Sequence, residues 1–421
     1  MTEAHQAADM PTVLERFLRY IKYDTQSNRD SASAPSNPKE LILAEALADE
    51  LRGLGAADAR VGKGGVVYAT IPASKGCEDA PAVGFIAHMD TSPDASGENV
   101  RATVRRYDGG DVVLNAEKGI VMKAEVFPEL QPHKGDDVVF TDGTTLLGAD
   151  DKSGIAAIMD MAAYVLSHPE MRHAKLCIGF TPDEEVARGT ENFDIPAFGA
   201  AYAYTFDGGE PGVLKVENFN AGTAYAVFKG VGVHPGQAKD KMVNAVRYAA
   251  KFVDALPAAM SPEHTEGYEG YVHPDAIEGD VVEAKVRILI RDHDAKLYAQ
   301  KKAMLQEIAD RMNRDYPECP CTISFEDVYE NMKAYLERAP KVVDIAREAT
   351  RRCGLEPVEV PVRGGTDGAW LSAAGLPCPN VFSGALFAHG VFECLPVRSL
   401  KLAREAAIHI AEISADVKSL D

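Results

Sequence analysis

Residues 81–90 read PAVGFIAHMD, a nearly unbroken apolar run that stops at a histidine and an aspartate. Short runs of this kind are strands buried on both faces. Two more follow, AKLCIGFTPDEE at 174–185 and AAYAYTFDGG at 200–209, and each also breaks into acidic residues. Between the first and second lies GIAAIMDMAAYVLSH (154–168), which reads as a buried helix. Working outward, GGVVYATIP (64–72) is rich in β-branched residues and reads as a strand. Helical spacing appears over 11–24 (Leu14, Phe17, Leu18, Ile21) and over 38–54 (Ile42, Leu43, Leu47, Leu51), with Gly53 and Gly55 where a C-cap would fall. VEVPV (358–362) and NVFSG (380–384) read as strands, and 341–353 and 400–417 as helices. Strands alternating with helices predict an α/β domain on an open, mostly parallel sheet. The stretch before the 154–168 helix reads as a loop region with a turn at FPEL.

The pattern changes near Asn218. AGTAYAVFKGVGV (221–233) is a strand, MVNAVRYAAKFVDAL (242–256) a helix, Glu278 to Arg291 one alternating strand, 295–313 a second helix and CTISFEDVYEN (321–331) a closing strand. Two such β-α-β halves predict a smaller α+β, ferredoxin-like insert. The expected division is therefore 1–217 and 331–421 for a large split domain, and 218–330 for the insert.

Length and charge narrow the function classes. The chain has 421 residues, 44 Lys+Arg and 64 Asp+Glu, for a formal charge of −20. Nucleic acids and anionic membranes need clustered basic residues, so neither is expected as a partner. No apolar stretch approaches the ~20 residues of a membrane span. The opening MTEAHQAADM has acids and no apolar run, so no signal peptide is expected. Seven cysteines, an odd number with no C-x-x-C pair, fit reduced thiols and a cytoplasmic location.

Four candidate groups sit at or just past strand ends: His88 and Asp90, Glu184 and Glu185, Asp207, and His389 in FAHG. A fifth, Asp150 in GADDKSG, opens the small-residue helix. Open α/β sheets bind ligands at the carboxyl ends of their strands, so the five can meet in one crevice. Imidazoles and carboxylates are zinc ligands. Clustered carboxylates repel one another unless a cation neutralises them. Two metals ~3.5–4 Å apart can share a carboxylate, and Asp150 suits that shared position. Asp150–Asp151 reads equally well as an N-cap pair. Gly154, Ala156 and Ala157 would let the helix pack closely on the sheet.

The order of these pieces, with HMDTSPD, TDGTTLLGADDKSG, TPDEEV, FDGGEPG, VHPG, MVNA, RGGTDG and the late HG, resembles the M20 family of co-catalytic zinc peptidases over nearly the whole chain from about Pro11. After His389, GVFECLPV departs from the family pattern. The resemblance implies two zinc ions per subunit, with cobalt or manganese also compatible with the ligands. It places His88, Asp150 and Asp207 on one ion, and Asp150, Glu185 and His389 on the other. Asp90 would orient His88, Glu184 would be the general base, and the Asp150–Asp151 peptide would be cis. His234 resembles a lid histidine that stabilises the oxyanion; a surface loop histidine is the plainer reading. Arg291 and Arg363 could each bind a substrate carboxylate or serve in a salt bridge. The implied activity is removal of the N-terminal residue from short peptides, tripeptides in particular, by a lid-bearing enzyme that could dimerise through the insert. Alternatives are another M20-type amidohydrolase (dipeptidase, aminoacylase or desuccinylase) or a catalytically silent metal-binding homologue.

Overall fold

The computed structural model describes residues 10–421; residues 1–9, where no signal peptide is expected, lie outside the described residues. The chain divides into two compact units. The first runs up to Val216 and resumes over Ala334–Val360 and Thr366–Asp421; the second comprises Glu217–Lys333 with Pro361–Gly365.

An eight-stranded sheet organises the first unit. Its spatial order is Arg60–Val61, Val67–Ile71, Leu176–Thr181, Val83–His88, Tyr202–Phe206, Asn380–Val381, Val213–Asn218 and Val358–Val362. The four middle strands run parallel, in register from Val83↔Leu176 to His88↔Thr181 on one side and through Val83↔Tyr202 and Asn380↔Thr205 on the other. Antiparallel neighbours flank them, so the sheet is mixed where a mostly parallel one is expected. The parallel middle is the part buried on both faces: every residue of Val83–His88, Leu176–Thr181 and Tyr202–Phe206 is buried.

Helix Ala149–Ser167 packs on the strand that ends at His88, with Ile155, Ile158, Met159 and Met161 fully buried. Burying side chains of this size stabilises by about 1.5–3 kcal/mol each. Gly154 permits the approach, since a Cβ there would lie 2.0 Å from the Phe206 carbonyl oxygen. Helix Glu40–Leu54 ends at Gly55, whose φ of 118° is the left-handed C-cap that glycine accepts without penalty. Helix Val13–Tyr20 opens with a capping box between Thr12 and Glu15.

Residues 91–147 hold more than the expected loop. Thr103–Arg106, Asp137–Phe140 and Cys394–Pro396 form a three-stranded sheet, and Val112–Asn115 pairs with Ile120–Met122. Thr103–Arg106 is largely exposed and shows no alternation, which explains its silence in the sequence.

The second unit is a four-stranded antiparallel sheet in the order Tyr271–Gly279, Glu283–Asp292, Asn220–Lys229, Cys321–Tyr329, with helices Ala245–Asp254 and Ala295–Asp315. The chain order β-α-β-β-α-β is the ferredoxin-like one. The single strand expected from Glu278 to Arg291 is in fact the turn and second arm of a hairpin. Gly279 takes φ 137°, and Asp280 Oδ1 accepts the N–H groups of Val282 and Glu283, which reverses the chain. Among the described residues no helix is long and apolar enough to cross a membrane.

Candidate metal centre

The parallel strands deliver their ends to one edge of the sheet. His88 closes its strand, Glu184 and Glu185 follow Thr181, and Asp207 follows Phe206. Asp150 and Asp151 open the Ala149–Ser167 helix in non-helical conformations joined by a cis peptide bond. They divide the work that the sequence left open between them. Asp151 Oδ1 accepts the Gly154 N–H (3.2 Å) and its Oδ2 the His88 N–H (3.3 Å), so Asp151 caps the helix and Asp150 is left free.

Asp150 lies between the two histidines. Its Oδ1 is 3.0 Å from His88 Nε2, and its Oδ2 is 3.5 Å from His389 Nε2. His389 Nε2 is also 3.0 Å from Glu185 Oε2. Donor atoms of His88, Asp150 and Glu185 lie within 4.8 Å of one another, as do those of His88, Asp151 and Asp207. In the second trio Asp151 is already spent on two N–H groups.

Supporting residues fix each of these side chains. His88 Nδ1 meets the Asp90 carbonyl at 3.1 Å and its carboxylate at 3.3 Å, which turns Nε2 toward Asp150. The same Asp90 carboxylate, fully buried, accepts the N–H of Glu184 (2.9 Å) and of Glu185 (3.1 Å). That bends the extended strand end into a 3-10 turn between Asp183 and Ala187, both at positive φ, so that adjacent glutamates can serve one site. Asn380 Nδ2 donates to Asp207 Oδ2 (3.3 Å), and Glu393 accepts N–H groups from the loop that leads into Asp150. Neither Asn380 nor Glu393 emerged from the sequence. The available signal for Glu393 was a charged residue inside the otherwise apolar run VFECLPV.

The electrostatics are those of a site short of positive charge. Burial, together with Asp207, Asp367 and Glu185, pushes the Glu184 carboxyl well above its usual range. Burial raises Glu185 and Asp367 to about 7 each, and raises Asp207 as well. Burial also works against the charged form of Asp150, but the imidazoles of His389 and His88 hold it low. His389 is raised to about 11 by Asp150 and Glu185. A divalent cation relieves this repulsion. The donors fit one: two imidazoles, a cluster of carboxylates, and Glu185 Oε1, a buried oxygen with no hydrogen-bond partner.

The remaining sequence candidates lie in the second unit. His234 is exposed and its Nδ1 accepts the Gly236 N–H. Arg291 donates from Nη1 to the carbonyls of Gly222 and Ile290. Arg363 uses both terminal nitrogens on its own unit, donating to Gly267 O, Glu269 O, Thr265 O and Thr265 Oγ1, and stacks on Phe219.

Known proteins resemble the chain along its length. Residues 216–318 match the model of the M20 peptidase dimerisation domain. A protein of Parabacteroides distasonis named Peptidase T is 49% identical over 96% of this chain and 99% of its own. A Peptidase T of Clostridium botulinum is 47% identical over 97% of this chain and all of its own length. Among solved structures, the aminopeptidase PepT of Bacillus cereus shares the fold, with a TM-score of 0.75, 21% identity and coverage of 96% of this chain and 98% of that one.

Proposed function

This chain belongs to the peptidase T family of M20 metallopeptidases, and on that premise we propose that it removes the N-terminal residue from short peptides, tripeptides above all, at a pair of zinc ions. The observation that carries the reading is Asp150, with one carboxylate oxygen toward His88 and the other toward His389. His88, Asp150 and Asp207 would hold one ion, and Asp150, Glu185 and His389 the other. Such a pair supplies a water acidic enough to ionise near neutral pH and a Lewis acid for the scissile carbonyl.

The chain's own groups do the rest. Glu184 takes the proton of the attacking water onto its carboxylate and hands it to the departing amine nitrogen. Asp90 holds the turn, which would let Glu184 serve the water while Glu185 holds the metal. His234 and Arg291 are the proposed contacts for the oxyanion and the substrate carboxylate. Arg363 is better suited to anchoring the 265–269 loop, since its terminal nitrogens already serve it. The match over 216–318 supports a homodimer formed through the second unit. A cytoplasmic location remains the reading of the cysteine pattern.

Size selection is the test. Di-, tri- and tetrapeptides with free or blocked ends, assayed with the zinc-loaded enzyme, should rank the free tripeptide first by kcat/KM, and N-acetylation should abolish turnover. Equal turnover of N-acylated amino acids would instead make this an acylase.

A further inference from the structure

We propose that Glu393 is a positioning residue that ties the two metal positions to each other, because it holds Asp150 from the same loop that carries His389. The inference rests on the dinuclear reading of the site and goes beyond its ligands.

Glu393 is 2% exposed, and both its carboxylate oxygens are in use. Oε2 accepts the N–H groups of Leu147 and Gly148, each at 2.7 Å, and Oε1 accepts that of Asp150 at 2.9 Å. Leu147 and Gly148 lie just before the helix and Asp150 in its non-helical start, and their backbone donors are met from a residue far away in sequence. Three N–H groups converging on one anion are charge-assisted bonds with a fixed direction. They set where the Asp150 backbone sits, and hence where its carboxylate points. With its oxygens spent in this way, Glu393 is a clamp and not a ligand.

The clamp belongs to a closed loop. Leu386 and Cys394 exchange two backbone hydrogen bonds of 3.0 Å, and the Glu393 N–H donates to the Gly390 carbonyl at 3.1 Å. Phe387 and His389 take φ of 56° and 66°, and the Phe387 ring packs 4.9 Å from that of Phe127. Four residues after the imidazole that approaches Glu185 and Asp150, the chain thus places the carboxylate that fixes Asp150. His389 contributes to one ion only. Glu393, through the shared Asp150, acts on both.

The test is a zinc titration of the metal-free protein against a competing chelator. Wild type should bind two equivalents. In Glu393→Gln the amide presents its NH2 to a backbone N–H, and both stepwise affinities should fall about 10–100-fold. His389→Ala should weaken only one. In the metal-free Glu393→Gln protein, hydrogen exchange at the amides of Leu147, Gly148 and Asp150 should speed up while the central strands keep their protection. If the Gln variant does not fold, Glu393→Asp carries the same expectation, since its shorter arm cannot reach all three donors. Affinities within twofold of wild type in a folded variant, or a loss confined to one equivalent, would overturn the proposal. A wild-type protein that binds fewer than two equivalents would overturn the dinuclear reading itself, and the coupling with it.

Discussion

In the second unit Asp292 lies buried, 2% exposed, against the ammonium of Lys301, and the pair closes on itself. In the first unit Arg16, also buried, is met by Glu50 and Asp160. Around Asp150 the arrangement is the reverse. Glu184, Glu185, Asp207 and Asp367 crowd one sheet edge with the imidazoles of His88 and His389, and burial drives those carboxyls upward. The first kind of buried charge meets an opposite charge from the chain itself and serves stability. The second is complete only with a cation, and serves chemistry. Where Asp292 and Arg16 find their counter-charge within the chain, this cluster finds too little of it, and a cation supplies the rest.

The comparison can be broken most strongly at Glu184. Glu184→Gln should lower kcat about 10²–10⁴-fold with the metal content unchanged. It should not destabilise the metal-free protein, because it removes a carboxyl from a repelling group. Normal turnover of a metal-loaded variant would place the base elsewhere. At the paired site the signs invert. Lys301→Ala leaves Asp292 buried and alone, and should cost about 3–5 kcal/mol in denaturant unfolding, with zinc stoichiometry intact. A cost below about 1 kcal/mol would show that the pair is not needed to balance that carboxylate. Site for site, metal removal should be milder: with free zinc at a hundred times Kd, loss of one ion should lower stability by about 2.7 kcal/mol. An unchanged thermal midpoint on chelation would count against the cation deficit. The smallest effect belongs to the surface. Thr12→Ala breaks the capping box of the first helix and should cost about 1 kcal/mol, measured by thermal unfolding, without touching metal binding or activity.

What the sequence disclosed follows the same division. His88, Glu184, Glu185 and Asp207 could be read because each interrupts an apolar run, and a run buried on both faces has no other use for them. His389 in FAHG was legible as a further strand-end candidate and Asp150 as a carboxylate suited to sharing; the resemblance to M20 peptidases added which ion each would hold. Glu393 and Asn380 stayed hidden because their contribution is a hydrogen bond across the fold, which leaves no periodic trace. The Tyr271–Gly279 strand stayed hidden for a different reason. It lies at a sheet edge, contains Pro274, and shifts register between Pro274 and Ala276, so the alternation that marks a strand is broken at its middle. Asp151 shows how far neighbours can diverge: two adjacent aspartates read as one cap, yet one caps the helix and the other faces the histidines.

The central claim is that Asp150 is shared between two metal positions, and anomalous diffraction from crystals of the zinc-loaded protein tests it most directly. The account predicts two zinc peaks about 3.5–4 Å apart, one beside His88 and one beside His389, with an oxygen of Asp150 on each. A single peak, or a pair that Asp150 does not join, would contradict it.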